Sequence, residues 1–272
     1  MNFIEMNYLE TGTYFGQTNR KIQFNGITIT DTEYTHEYVD WHYHENAYFT
    51  FILQGQVIEG YKNERLQCPA GTLLFHYWQD PHYNIKPKGF TRGFHVEINR
   101  SWFQQFELKE KHGSFKIQEP SVKLFFHQLL KESFIKNNLQ ELSISVNLVN
   151  ALSSIFKSND QIAEKKPTWI RKAKEIIHSG QWPDLSLSAL AKELNIHPVH
   201  LCRQFHKNFK CSFGQYIRNL KVEKSLILLL DKNMPLTKIS FDCGFADQSH
   251  FIRCFKEITK QTPLQYRKIL EA

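Results

Sequence analysis

Two short stretches near the end of the chain share one pattern of residues. The stretch "FIRCFKEITKQTPLQYR" covers residues 251–267, and "LCRQFHKNFKCSFGQYIR" covers residues 201–218. When the later stretch is moved back by fifty positions, five residues match in the pairs Arg253 with Arg203, Phe255 with Phe205, Lys260 with Lys210, Gln265 with Gln215, and Tyr266 with Tyr216. The match predicts a helical unit that occurs twice, and this repeat decides the fold of the C-terminal part.

The repeat continues upstream with an offset of 49, which pairs Leu187 with Leu236, Leu190 with Ile239, Ala191 with Ser240, Asn195 with Gly244, and Ile196 with Phe245. Two helices that cross steeply need a small side chain where they approach most closely, and the turn between them needs a residue that tolerates positive φ. Ala191 and Ser240 fit the first position, and Asn195 and Gly244 fit the second. The pattern therefore predicts two helix-turn-helix units, joined by a long helix over about residues 213–231.

The charge of the chain is unevenly distributed. From Lys165 onward there are 19 Lys and Arg against 9 Asp and Glu, a net charge of +10, whereas residues 1–164 hold 15 and 18, a net charge of −3. Such a basic segment is expected to meet a polyanion. Two helix-turn-helix units can place their second helices in successive major grooves, about 34 Å apart, and a joining helix of about 27 Å suits that spacing. A helical repeat with a solvated basic face is the alternative.

The candidate DNA-contacting residues are the exposed early positions of the two second helices. Arg203 and Arg253 are each predicted to form bidentate hydrogen bonds with a guanine edge, and Gln248 with an adenine edge. Val199 is predicted to contact a thymine methyl group. Lysines further along these helices are expected to contact phosphates. The alternative for each arginine is a surface ion pair. The predicted set is Val199, His200, Cys202, Arg203, Lys207, Gln248, Ser249, His250, Arg253 and Lys256.

The stretch from Ile239 to Arg267, which contains "GFADQSHFIRCFKEITKQTPLQYR", resembles the signature of the AraC/XylS family of bacterial transcription regulators. The resemblance covers roughly residues 168–270. It implies a transcriptional regulator rather than an enzyme, with double-stranded promoter DNA and RNA polymerase as partners. Ser240 and Lys221 stand where the family usually has Ala and Arg. Lys210 and Lys260 stand where it has helix-ending glycines, so these two turns are expected to be strained or shaped differently.

The first hundred residues read as β structure. "AYFTFILQGQVIEGY" (residues 47–61) and "GTLLFHYW" (71–78) are aromatic and apolar, and "FTRGFHVEINR" (90–100) alternates as a half-buried strand does. Short strands at this spacing predict a sandwich or small barrel. Residues 121–157 then show apolar positions at helical spacing, with a break near residues 136–138. The two predicted helices either cap the β domain or pair with a second copy, and a homodimer is expected.

The stretch "HYHENAYFTFILQG" (residues 42–55) resembles the first cupin motif, H-x-H-x3-E-x6-G. His42 and His44 lie at i and i+2 on a predicted strand, so they point the same way and can bind one metal ion. Residues 69–82 loosely resemble the second motif, with His82 or His76 as the third histidine. Tyr48, however, stands where a metal-binding cupin has glutamate. The resemblance to regulatory cupins therefore favours a small-molecule effector, with no metal and no cofactor.

The predicted effector-binding residues are His42, His44, Tyr48, Trp78 and His82. Many aromatic residues lie nearby in the sequence, and an aromatic floor suits a sugar or an aromatic metabolite. Plain core packing is the alternative for each of these aromatic residues. The rival to a regulator is a metal-dependent cupin enzyme, an oxygenase or isomerase, joined to a DNA-binding domain. The aromatic candidates are Trp41, Tyr43, Phe49, Phe51, Phe75, Tyr77, Trp78 and Tyr83.

These patterns together predict a two-domain α+β protein with a cupin-like N-terminal β-barrel or sandwich followed by helices and an all-α C-terminal domain. The expected boundaries are 1–115 for the effector-sensing domain, 116–157 for the dimerisation helices, 158–167 for a linker and 168–272 for the DNA-binding domain. The N-terminus carries no targeting pattern, and the apolar block at 226–230 is too short to span a bilayer. A cytoplasmic location without a membrane partner is therefore expected, with the five cysteines reduced.

Overall fold

The structure is a computed structural model that describes residues 6–106, 112–156, 167–178 and 185–270. The chain divides into two compact units, Met1–Lys157 and Ser158–Glu271, called here the N-terminal and C-terminal units. Residues 158–166 of the predicted linker lie outside the described residues. Within the described ranges, no helix has both the length and the apolar character needed to cross a membrane.

The described part of the N-terminal unit holds eleven strands in two sheets. The five-stranded sheet has the order β1-β4-β9-β6-β7 and the six-stranded sheet the order β11-β8-β5-β10-β3-β2. This architecture confirms the predicted sheet-rich N-terminal domain. The strands are β1 Asn7–Leu9, β2 Gly16–Phe24, β3 Ile27–Tyr34, β4 Tyr38–His44, β5 Ala47–Gln54, β6 Gln56–Gly60, β7 Arg65–Pro69, β8 Leu73–His76, β9 His82–Ile85, β10 Arg92–Ile98 and β11 Phe115–Ile117.

The cupin-type glycine occupies the turn between β5 and β6. Gly55 has φ of +72°, a left-handed conformation that side-chain-bearing residues rarely adopt. A Cβ atom at this position would also lie 2.1 Å from the carbonyl oxygen of Phe90. Gly55 is therefore required by the backbone, and it allows the two strands that carry Tyr48 and the inward residues of β6 to follow each other directly.

The central strands β8, β5 and β10 of the six-stranded sheet are buried on both faces. Alternate residues of β5, including Tyr48 and Thr50, line an interior cavity, whereas Phe49 faces the opposite way and packs against Phe126 with ring centroids 5.0 Å apart. On β10 both faces are buried as well, so the prediction of a half-buried strand is wrong. The reason is a helical layer over the outer face, formed by α1 Arg100–Gln105, α2 Pro120–Phe134 and α3 Gln140–Phe156.

The elements after β10 follow the prediction, with one difference in the helices and one in the strands. The break between α2 and α3 lies where the sequence places it, and α1 was not predicted. Strand β11 pairs with β8 and reaches Ile117, so the β structure continues past the expected boundary at residue 115.

The C-terminal unit is helical throughout its described residues, and the two predicted helix-turn-helix units are present as α5–α6 and α8–α9. Ser186 starts α5 by accepting a hydrogen bond from the backbone N–H of Ala189 at 3.0 Å. The helices are α4 Thr168–His178, α5 Leu187–Leu194, α6 Pro198–Phe209, α7 Phe213–Leu228, α8 Leu236–Asp242, α9 Gln248–Thr259 and α10 Pro263–Leu270.

The joining helix α7 is shorter than predicted. It ends at Leu228 instead of residue 231, which gives a length of about 24 Å at 1.5 Å per residue. The chain turns after this point because Asp231 Oδ1 accepts a hydrogen bond from the N–H of Asn233 at 2.9 Å. Pro235 then precedes α8.

The repeat also includes the helix that precedes each helix-turn-helix unit. Lys172 of α4 donates its Nζ–H to the carbonyl oxygen of Glu193 at the end of α5, at 2.9 Å. At an offset of 49, Lys221 of α7 donates to the carbonyl oxygen of Gly244, just past the end of α8. In both units a cation thus stabilises the C-terminal end of the first helix, where the helix dipole is negative.

Helix α7 therefore belongs to both repeats. Its first half places Tyr216 in the core of the first helix-turn-helix unit, and Tyr266 of α10 holds the equivalent position in the second helix-turn-helix unit. Its second half buries Val222 and Leu226, at the positions that Ala173 and Ile177 of α4 hold in the first unit. A joining helix of this length follows from that double role.

Candidate functional site: nucleic-acid interface and barrel interior

The turns of the two helix-turn-helix units have the predicted conformations. Asn195 has φ of +53° and Gly244 has φ of +72°. Ala191 and Ser240, the small residues at the helix crossings, are buried. This local geometry fixes the directions of α6 and α9, which are called here the recognition helices.

The lysines at the ends of the recognition helices adopt a left-handed conformation that favours glycine. Lys210 has φ of +58° and Lys260 has φ of +63°, both in the left-handed region. Of the two expected outcomes, strain or a different shape, this conformation favours strain in the backbones of the two lysines.

Every predicted contact residue of the first recognition helix is exposed. Leu201 and Phe205 hold the opposite face of α6 in the core, so the face that carries Arg203 points to solvent. Pro198 begins the helix, and the imidazole of His197 accepts a hydrogen bond from the N–H of Val199 at 3.4 Å. The exposed residues are Val199, His200, Cys202, Arg203 and Lys207.

The second recognition helix is less uniform. Ser249, Arg253 and Lys256 are exposed, whereas Gln248 and His250 are half-buried. The Oε1 atom of Gln248 accepts a hydrogen bond from Thr237 Oγ1 at 2.7 Å. The bond from Thr237 therefore restrains the orientation in which Gln248 can contact adenine.

His250 packs against the ring of Phe245, with ring centroids 5.6 Å apart and the planes perpendicular. This contact leaves the ring only partly open to a ligand. The helix itself begins at Asp247, whose Oδ1 accepts a hydrogen bond from the N–H of His250 at 2.7 Å.

The interior of the N-terminal unit, called here the β unit, contains a cavity of about 40 Å³. Three of the predicted effector-binding residues, His42, His44 and Tyr48, line it, and the hydroxyl of Tyr48 donates a hydrogen bond to Nε2 of the fourth, His82, at 2.9 Å. Small-molecule pockets usually have volumes of roughly 300–1,000 Å³. A sugar or an aromatic metabolite therefore does not fit the interior in this conformation.

Trp78 does not line this cavity. It packs perpendicular to Phe103 of α1, with ring centroids 5.2 Å apart, and the guanidinium of Arg100 lies over its ring. Strand β8 ends at His76, so the alternation that would have turned Trp78 inward is lost in the turn that follows.

None of the eight predicted aromatic residues belongs to the cavity lining that the structure describes. Phe49, Phe51 and Phe75 point to the helical layer, and Trp41 packs against Tyr83. The aromatic residues that line the cavity are instead Tyr14, Phe15, Tyr34 and Tyr48.

The backbone orients two of the interior histidines. Nδ1–H of His42 donates to the carbonyl oxygen of Asp40 at 2.8 Å, and Nδ1–H of His82 donates to that of Asp80 at 2.9 Å. Both imidazoles therefore present the lone pair of Nε2 to the interior. Burial lowers the pKa of His42 and His44, and it lowers the pKa of His82 to about 3, so these rings are neutral at pH 7.

Three interior residues add chemistry that the sequence reasoning missed or left open. Glu59 of β6 is 3% exposed, and burial raises its pKa to about 8. His76 is also buried, and its pKa is well below the usual value for the same reason. His95 of β10 is hydrogen-bonded through both nitrogens, to Thr30 and Tyr34. The signal for Glu59 was its parity, since it shares the inward face of β6 with Val57.

Comparisons with known proteins support the assignment of the C-terminal unit. Residues 190–269 match the model of a helix-turn-helix domain family. The chain is 24% identical over 207 residues to the uncharacterized HTH-type transcriptional regulator YijO of Escherichia coli (strain K12), covering 75% of this chain and 72% of that protein. It is 21% identical over 260 residues to the uncharacterized HTH-type transcriptional regulator YdeC of Bacillus subtilis (strain 168), covering 85% and 87%.

Among solved structures, ToxT from Vibrio cholerae aligns with 91% of this chain and 100% of its own, at 12% identity and a TM-score of 0.37. The repeated helix-turn-helix units, the matched domain and the regulator relatives together support a DNA-binding transcriptional regulator whose C-terminal helix-turn-helix domain is of the AraC type.

Proposed function

We propose that the chain binds promoter DNA as a homodimer through α6 and α9, and that the interior of its β unit senses a small effector. The observation that carries the DNA-binding mode is the equivalence of Arg203 and Arg253. Both are exposed, and both occupy the same position of a repeated recognition helix within the basic part of the chain. An ion pair along the helix does not explain this equivalence, because the residue four positions later is Glu257 in α9 but Lys207 in α6.

In this proposal the two arginines read guanine edges in successive major grooves. Lys207 and Lys256 contact phosphates and contribute affinity without base selection. The two helices are not equal, because Glu257 stands in α9 where α6 has Lys207. A carboxylate repels phosphate, so α6 is expected to carry more of the salt-dependent affinity.

We place the dimer contact on α3. Leu139 precedes this helix, and together with Leu142 and Val146 it forms an apolar stripe whose members are 65%, 62% and 52% exposed. Their spacing of three and four residues puts them on one side of the helix, opposite the buried Ile144 and Leu148. A second copy of the same stripe would cover this surface and present four recognition helices to the DNA.

The effector acts in this proposal by shifting the population between arrangements that bind DNA with different affinity. RNA polymerase is the further partner that the family implies, and the cytoplasm is the expected location. We infer no enzymatic role, in keeping with relatives that are transcriptional regulators.

The test is to select bound sequences from a random DNA pool and then to measure binding of the selected duplex by fluorescence anisotropy. We expect Arg203→Ala and Arg253→Ala each to weaken specific binding by about 1–3 kcal/mol, or about 5- to 150-fold. Arg171→Ala is the matched control, because Arg171 is 86% exposed on α4 and its substitution removes the same charge away from the recognition helices. Equal effects of all three substitutions would refute the proposed interface.

A further inference from the structure

Four imidazoles and one carboxylate meet inside the β unit. His42, His44, Glu59 and His82 come from the five-stranded sheet and His76 from the six-stranded sheet, and each is at most 3% exposed. Two sets of three have their ligand atoms within 4.8 Å of one another, His42–His44–His82 and Glu59–His76–His82. Because both sets use His82, they can hold one ion at a time.

We propose that Glu59, His76 and His82 bind a divalent transition-metal ion, and that this ion is the effector of the regulator. The second half of this statement rests on the proposed function; the site itself does not. Two histidines and one carboxylate form a donor set that proteins use for zinc and for non-haem iron.

The distances favour this set. The Oε1 atom of Glu59 lies 3.6 Å from Nε2 of His82 and 3.8 Å from Nδ1 of His76. Ligands at about 2.0–2.1 Å from a tetrahedral ion lie about 3.4 Å from one another. Small shifts of the three side chains would therefore bring them to bonding distance.

The hydrogen bonds around the three residues also suit a metal ion. Oε2 of Glu59 accepts a bond from Asn84 at 2.6 Å, while its Oε1 has no hydrogen-bond partner in the described part of the chain. The backbone carbonyl of Asp80 fixes His82 so that Nε2 points inward. Outer partners of this kind orient metal ligands in proteins. A buried carboxylate oxygen without a partner is costly, and a cation would satisfy it.

The neighbouring set consists of three histidines, a donor set that also holds zinc in proteins, but it lacks a carboxylate. His42, His44 and His82 are all neutral ligands, so they offer no charge to compensate the ion. Glu59 is the acidic residue in the described lining of the cavity, and it supplies that charge when the ion displaces its proton. Of the three proposed ligands Glu59 lines the cavity of about 40 Å³, and a space of this size beside the site holds one or two waters rather than an organic molecule.

Two tyrosines link the site to its surroundings. Tyr48 donates to Nε2 of His82 at 2.9 Å, and the hydroxyl of Tyr61 lies 3.3 Å from Nδ1 of His76. A bound ion would take both lone pairs and release both hydroxyls. Tyr61 also lines an open cleft at the surface with Trp41 and Lys62, so the loss of its hydrogen bond to His76 would change the lining of this cleft as well.

The experiment is a titration of the full, chelator-treated chain with Co²⁺, whose visible absorption reports its ligands, followed by displacement with Zn²⁺. We expect one equivalent to bind. Glu59→Gln and His76→Gln should each weaken Co²⁺ binding more than tenfold. The matched control His127→Gln removes a buried histidine that packs against Phe51 and belongs to neither set of ligands, so it should change Co²⁺ binding less than threefold. Circular dichroism and thermal unfolding of each variant confirm that the fold is kept.

Absence of stoichiometric Co²⁺ binding by the wild-type chain would overturn the site. So would loss of binding in His44→Gln with retention in Glu59→Gln and His76→Gln. DNA affinity measured with and without Zn²⁺ tests the effector role, and an unchanged affinity of the metal-loaded protein would overturn that role. If neither form binds the selected DNA, the proposed function fails, while the Co²⁺ titration still decides the site.

Discussion

The left-handed lysines at the ends of the recognition helices allow a sharp test of the backbone argument. Lys210 has φ of +58°, which costs a side-chain-bearing residue about 1–2 kcal/mol. Glycine removes this cost but adds about 0.5–1 kcal/mol of chain entropy to the unfolded state. Lys210→Gly is therefore expected to stabilise the C-terminal unit by about 0.5–1 kcal/mol. Lys260→Gly should gain less, because Lys260 Nζ donates a hydrogen bond to the carbonyl oxygen of Glu257 at 2.8 Å.

The assay is hydrogen exchange of the buried amides of α7, measured by mass spectrometry on the full chain, which reports the opening free energy of this unit. A gain of about 0.5–1 kcal/mol slows this exchange about two- to fivefold. Lys207→Gly is the control, because it removes the same side chain and charge from a residue inside α6, where glycine destabilises by about 0.5–1 kcal/mol. Faster exchange in both variants would refute the assignment of strain to Lys210.

Three further perturbations test other parts of the structure. Val146→Glu should convert the proposed dimer to monomers in sedimentation equilibrium without lowering the melting temperature of the N-terminal unit, and an unchanged molecular mass would exclude this surface. His127→Leu should stabilise the protein increasingly as the pH falls. Burial lowers the pKa of His127 to about 3, whereas its value in the unfolded chain is near 6.5. The unfolded wild-type chain therefore gains a proton as the pH falls below 6.5, and the free energy of unfolding decreases. In urea unfolding, the difference in this free energy between the variant and the wild type should be about 2 kcal/mol larger at pH 5 than at pH 7. Arg92→Ala should lower the free energy of unfolding by about 3–5 kcal/mol in the same assay, because it leaves the buried carboxylate of Asp31 unpaired. In the wild type Nε and Nη2 of Arg92 donate hydrogen bonds to Oδ1 and Oδ2 of Asp31, at 2.7 Å and 2.5 Å. A loss below about 1 kcal/mol would contradict this.

The C-terminal unit could be predicted from the sequence because its determinants are local. The cap at Ser186, the small residue at Ala191 and the positive-φ residue at Asn195 lie within ten positions of one another. A second copy of the same pattern then removed the ambiguity of the first. The end of α7 was misjudged because an apolar run continues past Leu228, and the turn that stops the helix depends on the side chain of Asp231.

The interior of the β unit could be predicted only in part, since its determinants are far apart in the chain. His42 and His44 share a motif, and alternation was enough to direct both inward. Glu59 lies 17 residues from His76, and only the pairing of β6 with β9 and the packing of two sheets bring its carboxylate to the imidazoles. The motif directed attention to position 48, where a tyrosine replaces the expected glutamate, while the structure supplies a carboxylate from a different strand. The substitution at position 48 therefore does not leave the interior without an acid, because Glu59 of another strand lies 3.8 Å from His76 and 3.6 Å from His82.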